Sequence, residues 1–197
     1  MKTITTIFFL IIFGSCYCQE KSDYEIYSTI IDNYFNRLDI KKKYSKNAVI
    51  IDRLDTLTNW ASEGYEYVDY ALFETRIDSV TRYVLKDMLS ILKESYIDSP
   101  KIDADSLNCS IQLSEIYLNE FHDLFSKDIN EGWERFYKTY PKSLGAFSFS
   151  NIVYSGDLAI LFVDFKRHGL FASGDFYIMK KIDDKWIIYN LFNMYKA

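Results

Sequence analysis

The chain reads as an α+β protein, with N-terminal amphipathic helices packed on a C-terminal antiparallel meander of about four strands. Three observations predict it. Apolar residues recur at spacings of three and four as far as Tyr140, the period of helices with one buried face. Beyond Pro141 the pattern changes to that of strands. The turn sequences Ser155-Gly156-Asp157, Arg167-His168-Gly169 and Asp183-Asp184 then leave connections too short for anything but antiparallel neighbours.

The elements follow in order. Lys2 precedes the apolar run ITTIFFLIIFG, and the chain turns abruptly polar at QEKSDYE after Cys18, the layout of an export signal over residues 1–18. The run ends by Gly14, short of the roughly 20 apolar residues a membrane span needs. Cleavage after Cys18 leaves residues 19–197 as a single α+β domain, secreted or periplasmic. The alternative is a lipobox at Phe13-Gly14-Ser15-Cys16, in which Cys16 carries lipid and anchors the protein to the outer membrane. Phe13 is a poor match to the aliphatic residue of that motif, which favours the soluble form.

Tyr24, Tyr27, Ile31, Tyr34, Phe35 and Leu38 define the first helix, with Ser22 and Glu25 spaced as a capping box. Ala48 to Ile51 reads as a short buried strand. From Asp52 to Thr75 the period weakens, but Trp60, Tyr65, Tyr67 and Tyr70 make the stretch too aromatic for a disordered linker. A second helix is expected near Thr75 to Tyr96, turning Ile77, Val80, Val84, Met88 and Leu92 inward until Ser99-Pro100 breaks it. A third takes Leu113, Ile116, Tyr117, Phe121, Leu124 and Phe125 inward. Asn130 caps a fourth that carries Trp133, Phe136, Tyr137 and Tyr140 on one face and stops at Pro141. Four strands follow, over residues 147–154, 158–165, 170–181 and 185–194. Both sides of Leu158 to Val163 are apolar, so this strand is central, with helices on one face and the aromatic loop as a cover for the other.

Composition excludes several functions. The formal net charge is −5, and removal of Lys2 with the leader makes it more negative. Such a surface repels nucleic acid, and the short cluster Lys41-Lys42-Lys43 with Lys46 reads as a solvated helix end. After the soluble cut Cys109 is the single cysteine left, which excludes an intramolecular disulfide and a cysteine-based zinc site. The two histidines, His122 and His168, cannot supply a three-histidine metal site, and HExxH spacing is absent. No metal or other cofactor is expected. Neither a GxSxG elbow, a CxxC pair, a Walker loop nor GxGxxG occurs. Ser148 and Ser150 alternate with Phe147 and Phe149 and read as one polar strand face. Asp164 and His168 are placed to approach across a hairpin, which would suit an acid/base role.

With 17 tyrosines and 15 phenylalanines, aromatic rings serve either a core or a recognition surface. Most fall on inward stripes. Tyr65, Tyr67, Tyr70 and Tyr154 do not, and together with Trp133 they are the candidate ligand-binding residues. The expected function is therefore a non-enzymatic domain that binds a protein or small-molecule partner, meeting a membrane only if Cys16 is lipidated. The alternative is a small hydrolase built on carboxylates.

The stretch Gly132-Trp133, Phe136-Tyr137, Tyr140-Pro141, Ser143, Gly145 and Phe149-Ser150 resembles the tail of a group of exported bacterial proteins of unknown function, whose scheme runs GWxxFYxxYPxSxG. The likeness continues through Ala159 to Val163, Gly169-Leu170 and Lys180 to Ile187, and departs at Ala172-Ser173 and Ile152 to Tyr154. It implies export and an α+β domain, and carries over no catalytic residue. Residues 180–189 are also similar to the end of nuclear transport factor 2-like domains, whose helices pack on a curved sheet.

Overall fold

The computed structural model describes residues 21–37, 47–54, 77–95, 99–168 and 171–196. Helix α1 (residues 21–37) is followed by strand β1 (Asn47–Ile51), helix α2 (Ser79–Ser95), strand β2 (Gln112–Ile116) and helices α3 (Leu118–Leu124) and α4 (Ile129–Thr139). Strands β3 (Ala146–Phe149), β4 (Val153–Ser155), β5 (Leu158–His168), β6 (Phe171–Ile182) and β7 (Lys185–Lys196) complete the described chain. The class is α+β, but the sheet has seven strands rather than about four.

The sheet order is β2-β1-β3-β5-β6-β7, with β4 paired to β5 beside β3. From β3 onward neighbours are antiparallel, as the short turns require. The additional strands lie on the other flank, where β1 pairs in parallel with both β2 and β3. Parallel pairing needs long crossovers, and these are supplied by the chain between β1 and β2 and by α3–α4. Gln112 to Ile116 was expected to open a helix, because Leu113 and Ile116 stand three apart. Register with β1 overrides that local period, sending Leu113 and Ile116 into different core clusters.

Both faces of the sheet carry helices, so the expectation of helices on one face is corrected. Alternation along β5 divides its side chains: Ala159, Leu161, Val163 and Phe165 face α1, through Ile26, Tyr27, Ile30, Ile31 and Phe35. Leu158, Ile160 and Phe162 face α2, through Leu85, Met88, Leu89 and Leu92. The far end of that second face, over β1 and β3, is closed by Phe121 of α3 and Trp133 and Phe136 of α4. Whether the aromatic loop adds to this cover lies outside the described residues, as do Leu38, the lysines at 41–46, Tyr96 and residues 169–170.

Helix boundaries moved where a side chain supplied a cap. Asp78 accepts from the N–H groups of Val80 and Thr81 at 3.1 and 3.0 Å, so α2 starts at Ser79 instead of near Thr75. Its inward stripe is rotated as well, since Val80 is 73% exposed and Leu85 and Leu89 are buried. Asp128, not Asn130, caps α4, accepting from the N–H groups of Asn130 and Glu131. Ser22 is already helical, and the Glu25 carboxylate is engaged with the sheet instead of a capping box.

Ser148 and Ser150 are buried, so the expected polar face does not exist. Ser150 belongs to a break in what the sequence presents as one strand. Residues 150–152 oppose only two residues of β5, a bulge that separates β3 from β4. Ser150 repairs the ladder: its N–H donates to the Phe162 carbonyl at 3.0 Å, and its Oγ accepts the Phe162 N–H at 2.8 Å.

The GW and SxG positions of the tail have steric explanations. A Cβ on Gly132 would stand 2.2 Å from the Phe125 ring, so glycine is what lets α4 close on α3. Gly145 has φ 144, and a Cβ there would stand 2.5 Å from the Lys166 carbonyl oxygen.

Candidate functional site

Two hollows flank the N-terminal half of α1. The first, about 650 Å³, is a polar groove between the outer surface of α1, with Lys21, Glu25 and Thr29, and the segment at Ser106 and Asn108. It owes its wall to a seam of polar side chains four residues apart. The Tyr24 hydroxyl, the Ser28 hydroxyl and the Asp32 carboxylate accept from the N–H groups of Asp103, Asn108 and Ser110 at 3.2, 3.0 and 2.8 Å. Residues four apart lie on one helix face, so the seam straps an irregular segment along the helix and satisfies its backbone. The 24/28/32 spacing was visible in the sequence, but an irregular partner has no periodicity by which to find it.

The second hollow, about 480 Å³, opens at the β3–β4 bulge. It draws residues from both helical layers: Asp23 and Tyr27 from α1, Ile91 and Ser95 from α2, and Ile152, Val153 and Tyr154 from the sheet. The bulge makes this possible, because it turns residues 150–152 out of the ladder to meet the helices. The Tyr27 hydroxyl donates to the Ser150 carbonyl at 3.3 Å, and the Asn151 amide donates to the Ser95 carbonyl at 2.9 Å, closing the end of α2.

Tyr154 lines this cleft from β4. Its hydroxyl donates to the Asp23 carboxylate, and its ring packs on Trp186 at 5.5 Å between centroids. Burial, then the hydrogen bond and charge of Asp23, hold the phenol above its ordinary range, so it remains a neutral donor. Tyr27 is raised in the same direction, chiefly by burial.

Of the candidate ligand-binding residues, Trp133 lies elsewhere. It is 5% exposed and packs against Phe125, Phe136 and Tyr137 at 5.0, 5.2 and 5.8 Å, in the cluster beneath α3 and α4. Tyr154 packs on the α1-facing cluster, so the structure does not bring the two together. Tyr65, Tyr67, Tyr70 and Cys16 lie outside the described residues.

The acid/base pair is also separated. Asp164 and His168 stand on one strand, β5, four residues and about 13 Å apart by strand rise, not across a hairpin. The Asp164 carboxylate is buried and ion-paired with Lys166, while His168 is exposed. A second buried carboxylate, Asp175, accepts from the Ser173 hydroxyl at 3.2 Å and the Asn193 amide at 2.5 Å, and Tyr34 extends the network through Ser173 at 2.6 Å. Glu115 lies on β2, and His122 on α3.

Among the described residues no group of three His, Cys, Asp or Glu side chains is arranged to hold a metal, and no helix is long and apolar enough to cross a membrane. In comparisons with protein-family models, with curated proteins and with solved structures, nothing matched this chain.

Proposed function

We propose that this chain is an exported, non-enzymatic binding domain whose recognition site is the cleft around Tyr154. The observation that carries the reading is the position of Tyr154: a neutral phenol, locked by Asp23, at a hollow to which both helical layers contribute. At about 480 Å³ the hollow is within the roughly 300–1,000 Å³ of ligand sites, and it mixes aliphatic walls with a few fixed polar groups. The leader-like N-terminus, the tail shared with exported bacterial proteins and the negative net charge support an envelope or extracellular partner that is not a nucleic acid.

The test is an amide-resolved NMR screen of a small-molecule fragment library against the isotope-labelled protein. Binders should move the resonances of Asp23, Tyr27 and Tyr154 together, and Tyr154→Ala should abolish those shifts without unfolding the protein. Binders that gather instead around Trp133, or an absence of any response at the cleft, would overturn the assignment.

A further inference from the structure

We infer that the cleft takes an extended peptide of a partner protein, added as a strand to the outer side of β4, with aliphatic and basic side chains in alternation. This rests on the binding-domain reading and specifies its ligand.

The three ends of the sheet are treated differently. At β7 the Glu25 carboxylate accepts the Trp186 N–H at 3.1 Å, and the Asn190 side chain accepts the Leu191 N–H at 2.8 Å. Register shifts at Gly174/Asp175 and Ile178/Met179 further distort that edge. At β2 the Tyr140 hydroxyl donates to the Glu115 carbonyl at 3.4 Å. The outer side of β4 has no strand against it among the described residues.

The hairpin geometry identifies which groups β4 presents. Ser155 and Leu158 flank the two-residue turn Gly156-Asp157, with Gly156 at φ 60, so they form the hydrogen-bonded pair that closes a tight hairpin. Pairing alternates, so Val153 and Ile160 are bonded and Tyr154 and Ala159 are not. The N–H and C=O of Tyr154 therefore point away from β5, to the outer side of β4. These are the groups a strand-adding peptide engages.

The flanking layers set the side-chain code. Successive residues of an added strand face opposite ways. One set faces α1, where Asp23 is the only charged side chain among the described lining residues. The other faces α2, where Ile91 is 53% exposed and stands with Pro100 on the wall. A basic residue suits the first set and an aliphatic residue the second, and a cationic peptide also matches the net charge of −5.

The test titrates the labelled full chain with the acetylated peptide KVKVKVK, its counterpart EVEVEVE, and KVKVKVK carrying alternate backbone N-methyl groups. KVKVKVK should shift the Val153, Tyr154 and Ser155 amides and slow exchange of the Tyr154 N–H. EVEVEVE and the N-methylated peptide should bind at least about tenfold more weakly, the scale of one or two lost hydrogen bonds or an unpaired charge. Ile91→Ser, at an exposed position that leaves the core intact, removes the aliphatic wall without adding charge and should also weaken KVKVKVK by about tenfold. Equal binding of EVEVEVE, or shifts centred on Trp186 to Leu191, would refute the proposal. So would a concentration-dependent dimer whose Tyr154 amide is protected before peptide is added, since the occupant is then a second copy. If no peptide binds while fragments still shift the cleft, the peptide assignment alone falls; if neither binds, the binding-domain reading falls with it.

Discussion

The carboxylate of Glu25, in the second turn of α1, accepts the backbone N–H of Trp186 at 3.1 Å, where β7 begins. Trp186 pairs with Lys181 next to the tight Asp183-Asp184 turn, so its N–H points out of the sheet. A helix side chain thus occupies a position that another chain's strand would otherwise use.

Glu25→Ala should therefore cost only about 0.5–1 kcal/mol, because the carboxylate is exposed, yet it should raise self-association. Glu25→Gln keeps an acceptor and should behave nearly as the parent. Urea midpoints give the first quantity and sedimentation velocity at increasing concentration gives the second. An Ala variant as monomeric as the parent would show that the edge needs no such guard.

Alkaline pH should destabilise the protein. Burial is the leading cause that holds Tyr27, Tyr154 and Tyr177 above the ordinary phenol range and pushes the Cys109 thiol up to about 11. In the unfolded chain thiols ionise near about 8.5 and phenols near about 10. The folded state keeps its protons longer, so stability is fully present below about pH 8 and declines as pH rises through 9 to 11. The slope is at most about 1.4 kcal/mol per pH unit for each fully buried group, and smaller for the partly exposed Tyr154 and Cys109. Urea denaturation at several pH values, with tyrosinate absorbance followed in parallel, checks the sign; midpoints that rise with pH would contradict it.

Packing under α3 and α4 makes three substitutions informative. Trp133→Ala should lose about 3–5 kcal/mol, as large aromatic truncations in a core do. Gly132→Ala adds a single methyl but drives it into the Phe125 ring, and should cost about 1–3 kcal/mol by overpacking. Phe125→Leu combined with Gly132→Ala should recover part of that loss. Thermal and urea unfolding of the set would expose an error if Gly132→Ala proved neutral.

Much of the fold was written in local pattern. The turns at Gly156 and at Asp183-Asp184 and the double-sided apolar run of β5 each follow from residues within a dozen positions of one another. Where local and distant preferences competed, the sequence misled. Leu113 and Ile116 have helical spacing and lie in a strand because β1 offers them backbone partners. Ser148 and Ser150 look like a solvent face and are buried because helices cover both sides of the sheet. Trp133, on the inward face of its helix and also a candidate for recognition, is a core residue, and its partners Phe121 and Phe125 were visible but not their convergence.

By itself the sequence determined the helix-then-sheet order and the antiparallel C-terminal hairpins, because periodicity and turn residues act over short distances. Tertiary structure alone decided the parallel pairing of β1, the two helical layers and the cleft at Tyr154. Those depend on contacts such as Tyr154 with Asp23 and Trp186 with Glu25, whose partners lie more than a hundred residues apart. Such pairs leave no periodic trace, since either residue alone is an ordinary surface or strand residue until the chain brings them together.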